Sequence, residues 1–364
     1  MRFSSYFLKI LLPFVCIGFL GANMNAKQSD PEGEFYLLEG KIGQDKLLLY
    51  LEMQKTAKDY YTINAKFSDS DSYFMGQIWE QNLSFVLNEE NEIKKITGSV
   101  KFDKNHFPIL ETKIDEKKVN FLPSTHRLNT LKFVRIEFKE KKNIEDRFGQ
   151  REITYKLEDE MFFIPKSLIN TQAREKINDI IALGAKDFKH LKQKIQEKHN
   201  EQRAKEWDKL SFNTEYARYF GVDYLDDKIL SFKITNYQYF GGAHGNVNIS
   251  PLSFSLKDGS ILSNKSEDLF KDVSDPTLLD LILQALVKYD KGEDAARFLE
   301  WGGESRKNIS LPSEFYLNEK GIKFIWQPYE IASYAEGFIS VVLDFDSLKP
   351  FVKENSVYRY LFEK

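Results

Sequence analysis

The chain is nearly without cysteine. Cys16 is the only one in 364 residues, and it sits in an apolar stretch near the amino terminus. The remainder can form no disulfide and no cysteine-ligated metal site. Histidine is scarce too, with five in all. None stands at zinc-ligand spacing from another histidine or a suitable carboxylate, so no metal and no other cofactor is expected. No serine lies in a nucleophile elbow, and no strand-to-helix glycine loop is set up to hold phosphate. Basic residues are not in excess: 52 Lys and Arg face 55 Asp and Glu, for a formal charge of -3. Removing the charges of Arg2 and Lys9 takes that to -5. A mildly acidic chain offers no stripe for nucleic acid. Beyond the leader, no stable membrane span is expected.

What is abundant points to sheet. Hydrophobic residues make up 42%, with 30 Phe and 18 Tyr. Such side chains suit half-buried pleated surfaces. The length is more than one ordinary core accommodates, which predicts two domains. Arg2 and Lys9 precede the apolar run Ile10 to Leu20, and small residues follow at Gly21, Ala22 and Ala26. That is the layout of a signal peptide over residues 1–26, cut after Ala22 or Ala26, with a retained anchor as the alternative. The expected location is periplasmic or extracellular.

Residues 34–138 alternate at period two in short runs. Examples are Tyr61-Ile63-Ala65-Phe67 and Leu83-Phe85-Leu87, with turn-rich breaks between runs. This predicts an antiparallel β domain, a meander or small barrel. His106 and His126 stand apart from other candidates, and Trp79 reads as a core or edge aromatic sooner than a sugar platform. The charged run Lys139 to Arg147 lacks apolar periodicity, so residues 139–150 are expected to be a linker.

Residues 151–364 are expected to form an α+β domain, with helices packed on an antiparallel sheet. Ile177, Ile180, Ile181, Gly184, Phe188, Leu191 and Ile195 fall on one helical face, suggesting one helix that reaches towards Trp207. Asn170 or Thr171 can cap it. Strands are expected over 215–224, 229–240 and 247–256. Asp275-Pro276 opens a second helix.

The candidate site residues lie on turns. Tyr239, Gly241, Gly242, His244 and Asn246 surround a glycine-rich bend, and Tyr329, Glu330, Tyr334 and Glu336 stand near another. His244 can act as a base or contact a ligand, or its imidazole can lock the turn by hydrogen bonds. Glu330 and Glu336 are six apart and could form a glycosidase-like acid pair.

Several of these stretches resemble one family. They are Tyr239-Phe240-Gly241-Gly242-Ala243-His244, then Phe254 to Gly259 followed by Asp268-Leu269-Phe270, and Phe315-Tyr316-Leu317 with Gly321-Ile322. Pro328 to Ala332 and Glu336-Gly337 complete the set, and Ile177-Asn178 after Ile164-Pro165 is similar to the family's first strand and helix. From about residue 153 to 348 the chain resembles the extracytoplasmic domain of RsiV-type anti-sigma factors, which also accompanies peptidoglycan deacetylase domains. The resemblance implies a binding module of the cell envelope, with lysozyme or peptidoglycan as partner. Only nine residues precede the first apolar run, so anti-sigma activity is not expected. The alternative is an envelope hydrolase acting on wall glycan through Glu330, Glu336 and His244.

Overall fold

The computed structural model describes residues 32–363 except 69–73, 90–91, 115–116, 148, 166–168, 290–295 and 301–308. The expected signal peptide, residues 1–26, lies outside the described residues. No described helix is long and apolar enough to cross a membrane. The described chain divides into two compact units, Asp30–Leu262 and Ser263–Lys364.

The larger unit begins with eight strands: β1 Glu32–Ile42, β2 Asp45–Ala57, β3 Tyr60–Phe67, β4 Phe74–Trp79, β5 Asn82–Glu89, β6 Glu92–Phe102, β7 Pro108–Ile114 and β8 Lys117–Pro123. Each pairs antiparallel with the next. β1 also pairs with β8, Leu38 opposite Pro123 and Glu39 opposite Leu122, and this closes a barrel. Alternation at period two sends Leu38, Leu51, Ile63, Ile78, Leu83, Val100 and Phe121 into one buried cluster. The cavity beside Phe67, Phe74 and Phe121 holds only about 10 Å³, room for about one water. Side chains therefore fill the barrel. Trp79 is no core residue; it is 62% exposed.

The first residues of β1, Glu32–Tyr36, pair instead with β9, Thr130–Asp146. β9 turns into β10, Gly149–Phe163, in register from Asp146–Gly149 to Lys132–Phe163. Residues 139–150, expected as a linker, are thus the far end of a long hairpin. Their missing apolar period has a physical cause. This end is wetted on both faces, and it is held by ion pairs such as Lys141–Glu152 at 2.7 Å and Arg151–Asp146 at 2.8 Å.

Two helices follow, α1 Thr171–Ile181 and α2 Phe188–Glu206. The single long helix expected from periodicity is broken at Leu183 (φ 54°) and Gly184 (φ 64°). Asp187 then caps α2 by accepting from the His190 N–H. Asn170 caps α1 as anticipated, accepting from the Ala173 N–H. The chain returns in β11 Thr214–Leu225, β12 Ile229–Tyr239, β13 Asn246–Ser255 and the short β14 Ile261–Leu262. β10 and β11 run parallel, the one departure from an antiparallel sheet among the described pairings. A two-helix crossover allows this, because it returns the chain to the starting end of its neighbour. Ile177, Ile181, Leu191 and Ile195 share a buried cluster with Phe162, Phe220 and Phe232.

The smaller unit holds α3 Ser266–Leu269, α4 Pro276–Tyr289, α5 Ala296–Leu299, a three-stranded antiparallel sheet, and α6 Phe345–Leu348. The sheet comprises β15 Phe315–Asn318, β16 Gly321–Trp326 and β17 Ile339–Asp344. Asp275 caps α4 by accepting from the Thr277 N–H at 2.8 Å. The fold as a whole is mixed: mostly antiparallel sheet, one barrel, few helices.

Candidate functional site

The glycine-rich bend joins β12 to β13. Gln238 opposite Asn246 is the last pair before it. Gly241 (φ 87°) and Gly242 (φ 98°) take left-handed conformations that side chains resist. Gly245 is needed for another reason: a Cβ there would lie 2.4 Å from the Tyr237 ring. The Tyr239 hydroxyl donates to the Gly242 carbonyl at 3.0 Å. His244 is exposed, and its Nδ1 donates to the Gly245 carbonyl at 2.9 Å. Accepting oxygen at that distance places the proton on Nδ1. The ring is thus tied to its own turn.

Beside the bend lies an aromatic surface. Phe240 is 50% exposed and Phe212 is 52% exposed. Phe240 meets the Tyr216 ring edge to face at 5.2 Å. A Cβ on Gly241 would sit 3.1 Å from Phe212, so the bend and this ring are in close contact.

Glu330 and Glu336 belong to the smaller unit, and His244 to the larger. Glu330 accepts from the Gln327 N–H at 2.7 Å and closes the 327–330 turn. Glu336 accepts from the Ser333 hydroxyl at 3.5 Å, within the short 3-10 turn Tyr334–Glu336. Each carboxylate serves its own turn. Tyr329 is left-handed (φ 73°) and 55% exposed, and its ring lies 5.6 Å from that of Tyr334. Burial, and after it the Tyr329 hydroxyl, push the Tyr334 phenol up. No described group of three His, Cys, Asp or Glu could hold a metal.

Charge is concentrated elsewhere, at Glu158-Asp159-Glu160 in mid-β10, where all three are buried. Sequence reasoning passed over this run, which looks like a solvated strand end. Asp159 accepts from Lys198 Nζ (2.8 Å), His199 Nε2 (2.9 Å) and Arg218 Nε (2.8 Å). Burial pushes its carboxyl up, but the His199 hydrogen bond and the Arg218 and Lys198 charges outweigh that and hold it at about 2. His199 is 2% exposed, and its Nδ1 has no hydrogen-bond partner among the described residues.

Glu158 and Glu160 alternate with Asp159 and so point to the opposite face. Arg135 binds Glu160 at 2.5 Å through Nη2, and Lys156 binds Glu158 at 2.9 Å. Glu52 of β2 adjoins this group. Burial first, then the Glu160 charge, push its carboxyl up to about 7. It can gain or lose a proton near neutral pH. His126 is partnered as well, with Nδ1 3.0 Å from Asp227. The available signal for His199 was its spacing: Leu191, Ile195 and His199 fall four apart, the buried face of α2.

Residues 267–346 match the profile described as protein of unknown function (DUF3298), and residues 163–247 match the one described as deacetylase PdaC. Each match covers only a part of the chain. Its PdaC-type stretch includes the His244 bend, its DUF3298 stretch includes Glu330 and Glu336, and the barrel lies outside both. The matches do not single out the RsiV type. No curated protein matches the chain. Among solved structures, a DUF3298 family member from Bacteroides fragilis NCTC 9343 is 19% identical, covering 64% of this chain and 98% of that one at a TM-score of 0.48. A DUF3298 family protein from Pseudomonas aeruginosa PAO1 is 13% identical, covering 61% and 94% at a TM-score of 0.42.

Proposed function

We infer that this protein is an exported, non-enzymatic binding module of the cell envelope, of the RsiV-like kind, with lysozyme or peptidoglycan as its partner. One observation carries the reading: the glycine-rich bend is closed upon itself, and the exposed pair Phe212 and Phe240 stands beside it. Exposed aromatics on a rigid edge are what partners bury as energetic anchors. His244 donates its Nδ1–H to the Gly245 carbonyl, which anchors the ring to its own turn. The hydrolase alternative is the weaker reading, because Glu330 and Glu336 each bond within a local turn.

The test is retention of the purified chain on immobilised lysozyme and on purified peptidoglycan at moderate salt. Binding to either is expected, with loss in Phe240→Ala and Phe212→Ala. Binding to neither, or turnover of wall fragments that His244→Ala abolishes, would overturn the reading.

A further inference from the structure

Hairpin turns crowd one mouth of the barrel. β2 turns into β3 at Lys58-Asp59, β4 into β5 at Glu80-Gln81, and β6 into β7 over residues 103–107. Backbone bonds stitch the first two turns and β6 together: the Glu80 N–H donates to Asp59 at 2.8 Å, and the Val100 N–H donates to Gln81 at 2.9 Å. Each turn holds a non-glycine residue in the left-handed region, Asp59 (φ 56°), Glu80 (φ 58°) and His106 (φ 64°). At the opposite mouth the β1–β2 turn meets the same demand with Gly43 (φ 62°). Aspartate tolerates this backbone, but glutamate gains nothing from it that glycine would not supply more cheaply. Backbone strain held in place by its surroundings gathers where side chains serve a ligand.

Between the turns lies an open groove of about 500 Å³. Tyr61 and Phe102 supply rings 6.0 Å apart, and Phe102 is 40% exposed. Asp59, Glu80, Gln81 and Lys101 supply the polar side. Lys101 is tied to Glu111 at 2.7 Å, and Lys55 lies over the Tyr61 ring at 5.8 Å, so the remaining polar lining is two acids and one amide. The volume falls in the range of small-ligand sites. Two carboxylates repel an anion, and a purely apolar ligand would leave the polar rim unsatisfied. A ligand with a flat C–H face and hydroxyl or amide hydrogens at its edge satisfies both sides.

We propose that this groove binds a short oligosaccharide. One sugar ring stacks on Phe102, and its edge donates hydrogen bonds to Asp59, Glu80 and Gln81. The site is separate from the His244 bend, and the proposal stands whether or not that bend contacts a partner.

Calorimetric titration and chemical-shift mapping of the purified chain with tetramers of N-acetylglucosamine and of glucose test it. At least one tetramer should bind, with shifts centred on residues 59–61, 80–81 and 101–102. Phe102→Ala should weaken binding roughly tenfold, the size of one lost aromatic contact. Glu80→Gly is the sharper probe, since it relieves the turn: Tm should hold or rise while affinity falls several-fold. Failure of both tetramers to bind overturns the proposal. So do shifts confined elsewhere, wild-type affinity in Glu80→Gly, or occupation of the groove by a lysine-rich peptide alone.

Discussion

His244 and His199 occupy the same compact unit and differ in almost every physical respect. His244 stands among three glycines, is exposed, and bonds to the carbonyl of the next residue. His199 stands among lysines and glutamates on α2, is 2% exposed, and bonds to a carboxylate 40 residues away in sequence. The first has conspicuous neighbours and a local job. The second has ordinary neighbours and helps hold a buried charge. What distinguishes them is where their partners come from. A partner one residue away can be replaced by water; a partner buried between helix and strand cannot.

The largest effect should come from Asp159→Ala, which strands His199, Lys198 and Arg218 around a lost carboxylate. Urea denaturation at neutral pH should show a loss of about 3–5 kcal/mol. Asp159 is held below its ordinary value of 3.8, at about 2, so its contribution is complete above pH 3.8 and is lost as pH falls towards about 2. The variant should lack that part of the acid limb. A mild Asp159→Ala phenotype would break the contrast.

Next in size is Gly245→Ala, where the added Cβ meets the Tyr237 ring at 2.4 Å. Overpacking of this kind costs about 1–3 kcal/mol in thermal or chemical melts. Glu52→Gln should act in the other direction. Its carboxyl is raised from 4.5 to about 7, so the cost of keeping it charged grows as pH rises from 4.5 to about 7 and is constant above. The variant should be more stable at pH 8 by on the order of 1 kcal/mol, after allowance for its partial exposure. Its stability should also vary less across that interval. His244→Ala should change least, by under about 1 kcal/mol, because its bond to Gly245 is local and only part-buried. If it outweighs Asp159→Ala, the ranking of the two histidines is reversed.

Much of the secondary structure was legible because its causes are local. The alternation of Tyr61 to Phe67 and the caps at Asn170 and Asp275 each depend on a few adjacent residues, and each is present. The glycines of the bend were legible too, and the structure shows them tightening a turn. The break at Leu183 and Gly184 was not, since apolar spacing continues across it while the backbone turns left-handed for two residues. The hairpin over residues 139–150 was hidden by its own charges, which pair across strands and need no apolar stripe. Glu158 to Glu160 were hidden because a buried carboxylate and a solvated one are spelled alike.

Composition and period alone were enough for a strand-rich chain without disulfides, helices with recognisable caps, and a bend that only glycine could make. Barrel closure, the parallel pairing of β10 with β11, and the burial of three consecutive acids required the folded chain. Strand alternation and turn chemistry act over a handful of neighbours. Closing β1 on β8 joins residues more than eighty positions apart, and neutralising Asp159 draws cations from α2 and β11, so each depends on which surfaces finally meet.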